Sequence, residues 1–259
     1  MKKSIAKGLL FIIIMLLLIP VKAVALNCLS QKIVKSTLES GEIEGLLNDL
    51  EAIEATVEHG KINELESKVK VAINKKPSNF MFHYLMARVY IMWGEYYDSI
   101  RTDKKKAKQS LEFALESAEE SIRLKKDFSD SYRLAGDIYG WLIDLKGAII
   151  YGPFYGPKSD RLRMKAEKYD SSNVEVYLAE GRKYLYTPIL FGGSRKKALE
   201  SFGRAVSLCP DYYLAHLWLG RGYIDRGLIE KAKKNFEKAL TLEPTGYAAK
   251  DELKKINNQ

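Results

Sequence analysis

Between Tyr213 and Pro244 the chain spells out one short periodic unit, and the same frame returns upstream. Small residues stand at Gly220 and Ala232, apolar ones at Leu219, Tyr223, Phe236 and Ala239, with Gly227 and Pro244 as punctuation. The apolar positions recur at helical spacing on both sides of Gly227, which describes two amphipathic helices joined at a glycine that can turn left-handed. Pro244 cannot continue the second helix and closes the unit. A hairpin of this size buries its apolar face only by stacking on a neighbour. A period of ~34 residues therefore implies an array rather than one globular core.

Upstream, Pro210 closes a unit with Ala198, Phe202 and Ala205 in its second helix and Gly181 and Tyr184 in its first. A further unit begins near Ser129, with Tyr132, Gly136 and Tyr139 in frame and a second helix reaching about Tyr169. An earlier one follows Pro77, carries His83, Ala87 and Tyr90, breaks near Gly94 and resumes through Ala107, Leu111 and Ala114. Glu44–Glu58 and Lys61–Lys75 form a weaker helical pair, and Tyr247–Ile256, polar on one side, reads as a capping helix. No segment alternates as a strand does. The expectation is an all-α chain of helix–turn–helix repeats stacked in a right-handed superhelix. An N-terminal helical segment covers 26–76, and the array with its cap covers 77–259.

Two turns between helices are longer than a minimal unit needs: Tyr151–Pro157 and Thr187–Gly193, both rich in Gly, Pro and large apolar residues. Insertions at equivalent points of an array fall on one face. Phe154, Tyr155, Leu190 and Phe191 are therefore expected either to touch a partner or to cap the array's own edge.

The spacing of Leu219, Gly220, Tyr223, Ala232, Phe236, Ala239 and Pro244 resembles the tetratricopeptide repeat, with His216 where that family usually has Trp. The resemblance implies that the first helix of each unit lines a concave groove. Carried over by frame, the groove position is Arg88, Asp137, Arg182 and Arg221. Beside it stand Tyr84, Arg133, Trp141, Leu178, Tyr186, Leu217 and Asp225. Arginines in a row can grip carboxylates bidentately, and Tyr and Trp add flat contact area. Asp137 can equally take Arg88 or Arg182 across neighbouring units and leave nothing for a ligand. A narrower likeness rests on Tyr184, Tyr186, Thr187, Pro188, Gly192 and Gly193. That turn resembles exported bacterial repeat proteins related to the T component of TRAP transporters. It implies a periplasmic helper of a solute-binding protein, able to self-associate.

The first 25 residues read as a secretory signal: Lys2, Lys3 and Lys7, an apolar run from Leu9 to Ile19, Pro20, then Ala23-Val24-Ala25 before a mature start at Leu26. The run is shorter than the ~20 residues of a comfortable membrane span. An exported chain, periplasmic or secreted, is expected. Lipid anchoring at Cys28 and an uncleaved N-terminal anchor are the alternatives. Ala25 and Asn27 stand where a lipobox wants Leu and a small residue. Cys28 and Cys209 are the only cysteines, and an oxidising compartment would allow them to pair.

Four lysines in that segment supply four of the nine net positive charges, and the remaining basic runs, Lys104–Lys106 and Lys233–Lys234, fall in amphipathic helices. That leaves no clustered stripe for nucleic acid. The three histidines, His59, His83 and His216, lie far apart, and two occupy a position that is normally a packed aromatic. No catalytic or metal motif is present, so neither an enzyme nor a cofactor is expected. Gly192-Gly193-Ser194 before Arg195 reads as a turn and a helix cap rather than an anion site. The expected function is an exported, non-enzymatic scaffold that binds a protein, peptide or small solute on its concave face and aromatic loops. The alternatives are a TRAP-type accessory subunit and a structural spacer in an envelope assembly. The expected partner is a protein or peptide of the cell envelope, a solute-binding protein among the candidates.

Overall fold

The computed structural model describes residues 41–54 and 58–258. The signal segment 1–25 and Cys28 lie outside the described residues. Among those described there are eleven α-helices and no strand: α1 Gly41–Glu54, α2 His59–Lys75, α3 Phe80–Glu95, α4 Lys104–Leu124, α5 Ser129–Lys146, α6 Ala148–Tyr169, α7 Val174–Tyr186, α8 Arg195–Leu208, α9 Tyr213–Asp225, α10 Ile229–Leu242 and α11 Tyr247–Asn257. A π-helical turn, Tyr96–Ile100, follows α3, and a 3-10 turn, Ile189–Phe191, follows α7. The described chain forms two compact units, one through Gly193 and one from Ser194 onward.

The repeat is written most clearly at its junctions. Lys76, Lys125, Asp170, Cys209 and Glu243 each end a helix with φ between −133° and −148° and ψ between 72° and 94°. Each donates its N–H to a small residue one turn back: Ala72, Ser121, Ala166, Ala205 and Ala239. Each then accepts at its own carbonyl from the residue three further on, and the next helix starts at once. The small residues are at most 1% exposed. Any longer side chain there would hold the following helix away.

A second device repeats in step. His83 Nε2 lies 2.8 Å from Pro77 O, Tyr132 OH donates to Lys126 O at 2.9 Å, Tyr177 OH to Ser171 O at 2.8 Å, and His216 Nε2 lies 2.8 Å from Pro210 O. Four helices thus use the same position to tie down the turn that precedes them. This accounts for two of the three histidines: they stand in for tyrosines that make the same bond. Buried hydroxyls and amides tighten the stack. Ser121 Oγ bridges Phe80 O and Ser131 Oγ, and Ser129 Oγ donates to Ala166 O while accepting from Asn173 Nδ2.

The expected turn at Tyr151–Pro157 is not a turn. Gly147, at φ 104°, reverses the chain by itself, and α6 runs unbroken from Ala148 through Pro153 and Pro157. The two prolines are exposed and one turn apart, so the carbonyls they deprive of donors face water, where the loss is small. The Thr187–Gly193 turn is present as expected, with Gly192 left-handed at φ 94°. Ser194 caps α8 by accepting from Lys197 N at 3.3 Å.

Candidate functional site

In the unit that ends at Gly193, α3, α5 and α7 are the first helices of successive repeats and carry the groove positions. Tyr84 and Leu178 are core residues, 2% and 0% exposed, and Leu217 of the other unit is likewise buried at 3%. This position packs against neighbouring helices instead of lining an open surface. Arg133 occupies it on α5 and is 8% exposed. Its Nε lies 3.3 Å from Asp130 Oδ1 and its Nη1 3.1 Å from Asp137 Oδ2, and Arg182 Nη2 reaches that same Asp137 oxygen at 3.2 Å. Burial alone would lower the Arg133 pKa. Tyr84, Asp130, Asp137 and Glu175 outweigh burial and hold it well above its ordinary value. The next layer repeats the theme, with Lys183 Nζ 2.6 Å from Asp160 Oδ1 and Arg163 on the same oxygen.

In the second unit Arg221 pairs with Glu252 of α11 at 2.9 Å and lies 4.7 Å from the Trp218 ring centroid, and Asp225 holds Arg195. Arg88 lies over the Tyr84 ring at 5.9 Å, Trp141 is half-buried, and Tyr186 is exposed. Arg133, Arg182 and Arg221 thus already hold carboxylates of their own chain. Within each unit these arginines make charge-compensated contacts between helices.

The apolar turns differ. Consecutive helices run antiparallel, so the C-terminal ends of α5 and α7 and the N-terminal end of α6 share one end of the first unit. Arg182 meets Asp137, which sets the level of the two helices. From there α5 runs on to Lys146, roughly 14 Å at 1.5 Å per residue, whereas α7 runs only to Tyr186, roughly 6 Å. The α5–α6 hairpin therefore overhangs the end of α7. Ile149 and Ile150 ride near its tip, 90% and 66% exposed, with Phe154 one turn on at 67%. On the lower step Ile189, Leu190 and Phe191 are 71%, 93% and 75% exposed. Single exposed aliphatics are ordinary, but here six large apolar side chains are exposed at one end of the unit, three on the α5–α6 hairpin and three on the turn after α7.

Tyr155 belongs to the support of this end. Its ring lies 5.2 Å from Tyr139, and its hydroxyl accepts from Lys146 Nζ at 3.2 Å, while Lys146 also binds Glu112 at 2.8 Å. Phe154 was legible as an exposed aromatic from its Gly- and Pro-rich surroundings. Ile149 and Ile150 were not, because an apolar pair before a helical stretch reads as core.

Sequence reasoning also missed an aromatic cluster at the start of α2 and the end of α3. His59 packs edge-on against Trp93 at 5.0 Å, Trp93 stacks on Tyr97 at 5.6 Å, and Tyr96 closes on all three. The π-helical turn beside it is the kind of irregularity that often accompanies a site. Among the described residues, no group of three or more His, Cys, Asp and Glu is placed to hold a metal ion, and no helix is long and apolar enough to cross a membrane.

Residues 213–245 match the family model of the tetratricopeptide repeat. The crystal structure of a thermophilic TPR protein in Thermus thermophilus superposes with a TM-score of 0.65 at 18% identity, over 83% of this chain and 100% of that one. The chain has the tetratricopeptide-repeat fold. The HusA haemophore from Porphyromonas gingivalis shares it, with a TM-score of 0.56 at 18% identity over 80% of this chain and 95% of that one. Tetratricopeptide repeat protein 14 of Mus musculus is 35% identical over 100 residues, 36% of this chain but only 12% of its own length. Tetratricopeptide-repeat arrays commonly act as scaffolds that bind protein or peptide partners.

Proposed function

We propose that this tetratricopeptide-repeat chain is an exported, non-enzymatic scaffold that holds a protein partner of the cell envelope against the apolar end of its first unit. The observation that carries the reading is the exposure of Ile149, Ile150, Phe154, Ile189, Leu190 and Phe191 together at one end of the unit. Burying six such side chains gives an association its apolar core, at about 1.5–3 kcal/mol for each fully covered residue before the costs of binding. The arginine row is less suited to the task, because a ligand carboxylate would have to displace Asp137 from Arg133 and Arg182.

Export rests on the N-terminal pattern of basic residues, apolar run and Ala23-Val24-Ala25. N-terminal sequencing of the protein from its own envelope fraction tests it, with Leu26 as the expected first residue and Met1 as the contrary result. The partner reading is tested by gentle purification of wild type and of the double variant Leu190→Asp/Phe191→Asp. The partner should co-purify with wild type and be lost from the variant at unchanged stability. Retention in that variant, with loss on Arg182→Ala instead, would move the site to the helical row.

A further inference from the structure

The helix junctions of the repeat share one backbone geometry, and four of them carry a charged side chain at the junction residue: Lys76, Lys125, Asp170 and Glu243. Lys76 and Lys125 are exposed, and Asp170 and Glu243 are half-buried. The junction between α8 and α9 breaks this pattern. Its residue is Cys209, with the same backbone at φ −140° and ψ 84°, yet only 1% exposed. Its N–H donates to Ala205 O at 3.0 Å and its carbonyl accepts from Tyr212 N at 3.2 Å, the bonds every junction makes. The backbone therefore gives no reason for the burial. A position open to water at the other junctions is covered at this one.

The sulfur of Cys209 is disulfide-bonded. The chain has two cysteines, and the other is Cys28. We propose that Cys28 and Cys209 form an intrachain disulfide in the exported protein, so that a mature chain starting Leu26-Asn27-Cys28 is pinned near its first residue to the α8–α9 junction. Cysteine stands at this junction, where the repeat otherwise uses Lys, Asp or Glu, because the position carries a covalent tie.

The pairing decides the fate of Cys28. A sulfur in a disulfide cannot carry the thioether of a lipid anchor, and Ala25 and Asn27 already depart from a lipobox. The oxidation balances with a thiol–disulfide oxidoreductase as electron acceptor. One cysteine thiolate attacks the disulfide of that enzyme, and the second displaces the enzyme from the mixed disulfide. The S–S bond of the donor breaks as the Cys28–Cys209 bond forms, and two electrons and two protons end on the donor as its dithiol. Closing a loop of about 180 residues also restricts the unfolded chain. The inference rests on the export reading above, because such bonds persist in oxidising compartments. It shares nothing with partner binding at the apolar end.

The test has two arms, both mapped by mass spectrometry without reduction. The chain from Leu26 is purified reduced and incubated in a glutathione redox buffer, and protein from its own envelope fraction is alkylated with N-ethylmaleimide at lysis. In each arm a peptide joining Cys28 to Cys209 is expected in a monomer, and dithiothreitol should split it. With the cysteine moved to another junction, in Cys209→Ser/Lys125→Cys, both thiols should stay open to the maleimide. Four results would overturn the proposal: maleimide on both cysteines of a chain beginning at Leu26, a lipid on Cys28, a disulfide between two chains, or equal pairing of Cys28 with position 125. Free thiols in an envelope chain beginning at Met1, with the pair formed in glutathione buffer, would uphold the pairing and overturn the export reading instead.

Discussion

Replacing Gly220 with Ala should destabilise the C-terminal unit, whereas the same replacement at Gly203 should stabilise it. A Cβ at 220 would lie 2.4 Å from Phe236 Cε1, 2.8 Å from Cδ1 and 2.9 Å from Cζ. The ring has nowhere to retreat: Phe236 is 0% exposed and packs among Leu217, Ala232, Ala239 and Ala249. Overpacking of this kind costs about 2–3 kcal/mol, and alanine's better helix propensity returns about 1, for a net loss of about 1–2 kcal/mol. Gly203 lies inside α8 with nothing within 4 Å of its Cβ position, so only the propensity gain of about 0.5–1 kcal/mol applies. The two variants should therefore differ by about 2 kcal/mol, or about 1 M in urea midpoint at a slope near 2 kcal/mol/M. Urea unfolding followed by circular dichroism reads the difference, and hydrogen exchange over α9 and α10 assigns it to this unit. Adding Phe236→Leu to Gly220→Ala should cost less than the sum of the two alone, because the smaller side chain relieves the clash. Equal stabilisation by both alanines would refute the reasoning that glycine serves here to bring the helices together.

Other outcomes follow from the same geometry. His216→Tyr should keep the tie to Pro210 O that Tyr132 and Tyr177 make in their own repeats, whereas His216→Phe should lose about 0.5–1.5 kcal/mol in a urea melt. Asp137→Ala leaves buried Arg133 without one of its two carboxylates and should cost about 2–3 kcal/mol by the same assay, well above a surface substitution. Asp160 gives a pH dependence. Burial alone would raise its pKa, but the Lys183 hydrogen bond and Arg163 overcome that and hold it below its ordinary 3.8. A lowered carboxyl contributes stability above its unfolded value and loses it as pH falls through the folded one. The stability gap between wild type and Asp160→Asn should therefore be constant from about pH 7 to about pH 5 and close below about pH 4.

The repeat frame was legible because its demands are local. Pro77, Pro210 and Pro244 flag the junctions, and Ala87, Gly136, Gly181 and Gly220 mark where helices approach. His83 and His216 were legible as structural from their place in the frame, although the bond they make was not. The Tyr151–Pro157 stretch misled because Gly152, Pro153, Gly156 and Pro157 carry turn propensity. The packing of α6 on α5 and the exposure of both prolines override it. Three of the groove positions, Tyr84, Leu178 and Leu217, turn out covered for another reason. Frame places a residue on a helix face but does not say whether the neighbouring repeat covers that face, and it covers Tyr84, Leu178 and Leu217. Asp137 as the acceptor for Arg182 was foreseeable from charge alone. The aromatic cluster around Trp93 was not, since His59 and Trp93 come from two helices with no shared motif.

The proposed partner surface is tested most directly by site-specific photocrosslinking in the native cell. A photoreactive phenylalanine analogue is placed at Leu190, at Ile149 and, as a control, at Val71, which is 51% exposed on α2. We expect the same protein to be captured from positions 190 and 149 and not from 71. Capture at 190 and 149 no stronger than at 71, or capture only from a probe at Arg88 or Arg182, would contradict the assignment of the apolar end as the site of partner binding.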